Sequence, residues 1–235
     1  DSIVRNDILD YYVEVEHFDK MVARAIRSLE KLGQLDNTIV VVTSDHGMPF
    51  PRAKASLYDA GTHVPLAIRW PERIRTPGRV SHALVNLSEL APTFLEAAGI
   101  SIPKMMTGKA LTDILQDKTK VKREVAFIAM ERHAGCREGG KGYPCRAIRT
   151  KDYIYIRNFD PDRWPAGSPE RKHCVRHIRY GEVDPSPTKT LMMDDRKYAK
   201  LADLAFGKRP AEELYLISND PYQLRNLADA KEFQK

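Results

Sequence analysis

From about Asp7 to Leu32 the apolar residues fall at Ile8, Tyr11, Val15, Phe18, Val22, Ile26, Leu29 and Leu32. That rhythm of three and four predicts one amphipathic helix. Asn6 stands at the N-cap position and Gly33 where a helix-ending glycine belongs. His17 lies beside the stripe and reads as a helix-face histidine satisfied by a neighbour. After a turn at Asp36-Asn37 the pattern changes to an unbroken run, Ile39 to Val42. Such a run suits a parallel strand buried on both faces. Helix, tight turn and buried strand make half of a doubly wound α/β layer.

Val64 to Trp70 returns as a strand, and the polar, proline-broken loop from Ser44 to Thr62 is expected to floor a pocket. Leu87 to Ala98 reads as a helix stopped by Gly99, with Pro92 in its first turn. Leu111 to Leu115 reads as a short helix. Beyond the charged run Lys118 to Glu124 the composition shifts, and short strands are expected at Val125 to Met130, Arg146 to Thr150 and Tyr153 to Arg157. A proline- and charge-rich section from Asp160 to Pro187 follows, then helices at Tyr198 to Phe206 and Gln223 to Lys235. A boundary near Lys122 divides residues 1–122, an α/β domain, from residues 123–235, a smaller α+β subdomain with an antiparallel sheet.

Composition narrows the picture only slightly. The 235 residues are 42% hydrophobic and 30% charged, ordinary for a globular protein. No apolar run is long enough to cross a membrane. A net charge of +6 either favours acidic partners or is simply a basic surface, and no nucleic-acid motif is present. Cys136, Cys145 and Cys174 make neither a disulfide framework nor a zinc spacing; either one bridge forms with one thiol over, or all three are free.

Candidate chemistry sits where the first strand ends, at Ser44-Asp45-His46-Gly47. Ligands bind beyond the carboxyl ends of strands in open α/β sheets. A carboxylate followed by an imidazole is a common pair of metal ligands, and Gly47 lets the backbone turn. A second constellation, Glu131-Arg132-His133 with Arg137 and Gly139-Gly140-Lys141-Gly142, is either a flexible basic loop for an anionic sugar or an ordinary hairpin loop. It lacks the ending of a phosphate-binding loop.

Asp45-His46-Gly47, Lys54 and Gly61-Thr62-His63-Val64-Pro65 resemble the sulfatase family of the alkaline phosphatase-like superfamily. The resemblance continues through Leu87-Ser88-Glu89-Leu90-Ala91-Pro92-Thr93, Arg146-Ala147-Ile148-Arg149-Thr150, Glu213-Leu214-Tyr215, Asp220-Pro221 and Asn226-Leu227. The Met48-Pro49-Phe50-Pro51 spacing is most similar to the heparan N-sulfatase branch, whose members act as N-sulfoglucosamine sulfohydrolases. It implies part of an alkaline phosphatase-like doubly wound sheet followed by the smaller subdomain. It implies Ca²⁺ held in part by Asp45 and His46, with Zn²⁺ the alternative because of the imidazole. Lys54 is then a catalytic, sulfate-binding cation, and a formylglycine made from Cys or Ser is the nucleophile. His133 and Arg137 are the expected substrate-binding residues.

Cys145-Arg146-Ala147-Ile148-Arg149 fits the short pattern of the modified cysteine, yet it lies downstream of the metal turn and lacks the surrounding context. The nucleophile is therefore expected outside this chain, which reads as the C-terminal part of an enzyme, inactive alone. Its partners would be a sulfated glycan or small sulfated sugar and the N-terminal part of the same enzyme, with no nucleic acid. A periplasmic, secreted or lysosomal address follows from the resemblance. Two other readings remain. One is a metal-dependent phosphodiesterase or nucleotide pyrophosphatase of the same superfamily; the other is a non-catalytic glycan-binding module.

Overall fold

The computed structural model describes residues 1–116 and 123–234. The expected boundary near Lys122 lies outside the described residues. By spatial contact the chain forms two compact units, one of Asp1–Lys20, Ser44–Pro65 and Ile128–Lys235, the other of Met21–Thr43 and Leu66–Phe127.

The first helix, α1, spans Ser2–Lys31, five residues longer at its start than the periodicity suggests. Asp1 rather than Asn6 caps it, its Oδ1 accepting the Ile3 N–H at 2.8 Å. At the other end Gly33 takes φ +63, and its N–H and that of Gln34 bond back to Glu30 and Leu29. This is the left-handed termination that glycine permits. No residue of α1 is fully buried, and Val15 and Phe18 of the apolar stripe are exposed.

In the second unit, β1 (Val40–Thr43) pairs antiparallel with β2 (Leu66–Arg69), Val41 opposite Ile68. The expected parallel, doubly buried strand is thus corrected: β1 is half-buried along its length and its described neighbour runs the other way. A β-branched run reports fitness for a pleated, covered surface, not the direction of the next strand. Asn86 and Glu89 form a reciprocal cap before α3 (Leu90–Ala97), and Gly99 ends it at φ +70. Buried Arg123 ties this unit together. It pairs with Glu89 and with Asp113, at 3.0 Å, on α4 (Thr112–Leu115), and donates to the Ala110 carbonyl at 2.9 Å.

In the first unit, β3 (Val125–Met130), β4 (Cys145–Thr150), β5 (Tyr153–Asn158) and β6 (Glu212–Leu216) form a sheet in that order, β3 crossing into it from the other unit's residues. The β4, β5 and β6 pairings are antiparallel, as expected for the smaller subdomain. Alternation puts Cys145 and Ala147, Ile154 and Ile156, and Glu213 and Tyr215 on one covered face. Leu57 and Tyr58, beside α2 (Asp59–Thr62), pack into the same core. Buried there, Glu213 accepts from Tyr58 and Tyr215 hydroxyls at 2.8 and 2.6 Å and from Asn158 at 2.8 Å. Burial and that carboxylate push the Tyr58 hydroxyl up to about 12.

Two helices close the unit. The first, α5 (Pro187–Asp194), was not foreseen, although Ser186 as N-cap with Pro187 at the first helical position is a legible start signal. The second, α6 (Ala199–Phe206), lies where expected. The helix expected from Gln223 to Lys235 is absent among the described residues, which hold only a single turn at Lys231–Phe233. Asp220 accepts the N–H groups of Leu224 and Arg225, and Gln223 sits at φ +50 with its side chain buried. Local side-chain bonds win over the helix there.

Candidate functional site

The Asp45-His46-Gly47 turn leaves β1 as the sequence predicts. The Ser44 hydroxyl bonds the His46 carbonyl at 2.7 Å. The Gly47 N–H bonds the Gly61 carbonyl at 3.0 Å, and a Cβ on Gly47 would fall inside the Ala60 carbonyl. Gly47 is thus required by close backbone approach, not by a left-handed turn. His46 Nδ1 lies 2.8 Å from the Gly47 carbonyl, which only accepts, so Nδ1 carries the proton. The Nε2 lone pair is left 3.5 Å from Asp45 Oδ2. Asp45 is 86% exposed at its side chain and His46 37%. An open carboxylate beside a free imidazole nitrogen fits two positions of a metal's ligand set. No group of three or more His, Cys, Asp and Glu stands arranged for a metal among the described residues.

The loop then folds on itself, Lys54 N–H bonding the Met48 carbonyl at 3.0 Å. Arg52 at φ +63 and Ala55 at φ +58 flank Lys54, a strained arrangement for residues with a Cβ. Arg52 is fixed by the carbonyls of Leu204 at 2.9 Å and Gln223 at 2.6 Å, and lies over the Tyr58 ring. The held loop directs Lys54 Nζ onto Asp184 Oδ2 at 2.7 Å. Arg176 Nη1 takes the other oxygen of Asp184 at 2.9 Å. Burial pushes the Asp184 carboxyl up, but the hydrogen bonds from Lys54 and Arg176 outweigh it and hold it below the usual carboxylate value.

The second constellation divides. His133 is exposed, at the start of the basic loop after β3. Arg137 is only 6% exposed; it pairs with buried Glu182 at 2.7 Å and donates to the carbonyls of Trp164 and Pro165, each at 2.7 Å. Its guanidinium is committed within the protein, beneath the loop rather than on its surface. Glu182 also accepts the Ala134 N–H at 2.6 Å, so the pair fixes the segment that carries His133. Next to Arg137, Cys136 is bridged to Cys174, which settles the open cysteine pairing.

Cys145 is the free thiol, buried in β4. Burial pushes it up to about 12, so at neutral pH it is a protonated, inert thiol. This agrees with rejecting its motif as a modified nucleophile. Arg149, also on β4, reaches Asp59 Oδ1 at 2.8 Å and braces α2. A cavity of about 300 Å³ opens beside Met48, Phe50 and Pro51, but its walls are apolar apart from Arg52, whose Nη1 and Nη2 each donate to a backbone carbonyl, and the hydroxyl-bearing Tyr12 and Thr188. It suits no anion.

Sequence reasoning missed Asp184, Arg176 and Glu182. Nothing in the pattern around Asp184 marks it, because its partner Lys54 is 130 residues away. Arg176 lay in view, inside the dense basic segment Arg171-Lys172-His173-Cys174-Val175-Arg176-His177.

Comparison with known proteins accords with this geometry. Residues 4–100 match the Sulfatase family model. The chain is 28% identical over 236 residues to an ulvan-active sulfatase of Formosa agariphila, covering 99% of this chain and 36% of that protein. It is 29% identical to human N-sulphoglucosamine sulphohydrolase over 97% of this chain and 45% of the relative. A solved structure in complex with its substrate D-glucosamine-2-N,6-O-disulfate shares the fold at a TM-score of 0.63 and 24% identity, over 94% of this chain and 36% of its own. The chain thus spans less than half the length of these relatives. Residues 4–100 thus belong to the sulfatase family, and the sulfatase relatives extend the likeness over nearly the whole chain.

Proposed function

We propose that the protein carrying this chain hydrolyses sulfate esters or N-sulfates of sulfated glycans, heparan-type chains among them. The observation that supports it most is the exit of β1, where the Asp45 carboxylate and the His46 Nε2 lone pair share one face 3.5 Å apart, within the family-matched residues. These two side chains would hold Ca²⁺, which supplies polarisation of a sulfate oxygen when bound. The Nδ1 bond to Gly47 fixes the ring so that Nε2 faces outward. Lys54, oriented by Asp184, would stabilise the negative charge that builds on the leaving oxygen. A formylglycine hydrate would supply the nucleophile from residues beyond these 235; Cys145 is unsuited to it, being buried and protonated. His133 would contact the sugar, with Arg137 acting through the loop it holds.

The Cys136–Cys174 bridge suits an oxidising compartment, hence a periplasmic, secreted or lysosomal address. Among the described residues no helix is long and apolar enough to cross a membrane. The imidazole keeps one other reading in play, a zinc phosphodiesterase of the same superfamily. The test is release of inorganic sulfate from glucosamine N-sulfate by the whole gene product. Release that chelation abolishes and Ca²⁺ restores is expected. Two bound zinc ions with cleavage of a phosphodiester instead would overturn the reading.

A further inference from the structure

We propose that Arg176 is an oxyanion-binding residue of this site, taking a sulfate or carboxylate group of the sugar, with Asp184 as its positioning residue. The inference rests on the sulfatase reading and deepens it. Arg176 spends only Nη1 inside the protein, on Asp184 Oδ1 at 2.9 Å and the Gly181 carbonyl at 3.3 Å. Its Nε and Nη2 have no partner among the described residues, and the side chain is 38% exposed. A guanidinium held along one edge and open along the other presents the planar fork that matches an oxyanion. Lys54, by contrast, is 17% exposed and donates to the same Asp184 at 2.7 Å. One carboxylate thus carries two cations, leaving a local excess of positive charge, with the arginine as its accessible member.

The segment around Arg176 is built to keep that fork in place. Cys174 anchors one side through its bridge to Cys136. On the other side buried Lys189 donates to the carbonyls of Tyr180, at 2.9 Å, and Val183, at 2.7 Å. The Tyr180 N–H bonds the Ser168 carbonyl at 2.8 Å, and Gly181 packs so closely on the bridge that a Cβ there would collide with both sulfurs. A cation whose backbone is fixed at both ends loses little entropy on binding, which distinguishes it from the solvated charges nearby.

The experiment uses the whole gene product and its Arg176→Gln, Arg176→Lys and Lys54→Ala variants. Binding of inorganic sulfate is measured by calorimetry, and turnover on glucosamine N-sulfate and on glucosamine 2-N,6-O-disulfate. Arg176→Gln is expected to weaken sulfate binding by about 10- to 100-fold, the worth of charge-assisted bonds, with Arg176→Lys recovering part. If the fork holds the group being cleaved, kcat/KM falls alike on both sugars; if it holds a neighbouring anion, the loss appears on the disulfate alone. Wild-type protein that binds no sulfate, or Arg176→Gln within about twofold of wild type in binding and on both sugars while Lys54→Ala is impaired, overturns the inference and leaves the sulfatase reading standing. Sulfate binding that depends on Arg176 with no sulfate release from either sugar would instead count against the sulfatase reading alone.

Discussion

Lys54 Nζ lies 2.7 Å from Asp184 Oδ2, joining the loop after the Asp45-His46 turn to a segment 130 residues later. Both side chains are about four-fifths covered, so this pair is screened less than a surface bridge. Because hydrogen bonds hold the Asp184 carboxyl below its ordinary value, it stabilises the fold above the unfolded value of about 3.9 and loses that contribution as pH falls through the lower folded value. Asp184→Asn is expected to flatten the acid limb of stability against pH, read by denaturant titration between about pH 5 and 2. An unchanged limb would count against the pair.

Arg137 and Glu182 form the most buried ion pair described, 6% and 2% exposed at the side chains. Removing one partner leaves an uncompensated buried charge, so Arg137→Met is expected to cost about 3–5 kcal/mol. Arg137→Met with Glu182→Leu should cost less than Arg137→Met alone, although the Ala134 N–H then loses its acceptor. Urea midpoints of the single and double variants check this. A subsite role for Arg137 that leaves stability untouched would show as raised KM with an unchanged midpoint.

Gly47 packs directly against the Ala60–Gly61 backbone where its side chain would stand. Gly47→Ala is expected to displace the Asp45-His46 turn and destabilise the protein by about 1–3 kcal/mol, as overpacking does. The measurement is Ca²⁺ affinity by calorimetry together with the melting temperature. Wild-type affinity and stability would show that the turn has room to spare.

Cys145, the buried free thiol, should resist iodoacetamide at pH 8 in the folded protein and react fully in denaturant. Peptide mass spectrometry reads both states. Alkylation of the native protein at this position would contradict its burial.

How far the sequence reached follows from which interactions are local. The stripe of α1, the Gly33 stop and the polar exit of β1 depend on neighbours within a few residues, and periodicity shows them. The strand segments Val125–Met130 and Tyr153–Asn158 were legible for the same reason. The antiparallel partner of β1, the Cys136–Cys174 pairing and the Lys54–Asp184–Arg176 cluster are set by chain segments far apart in sequence. No local pattern encodes them. Arg137 misled because a basic, glycine-rich loop looks open, whereas Glu182, 45 residues on, draws the guanidinium inward.

The most direct measurement is sulfate release from glucosamine N-sulfate by the gene product carrying His46→Ala or Lys54→Ala, with folding checked by circular dichroism. Each variant is expected to lose at least about 100-fold in kcat/KM, the scale on which preorganised electrostatic groups act. Folded variants that retain wild-type turnover would contradict the placement of the site at the end of β1.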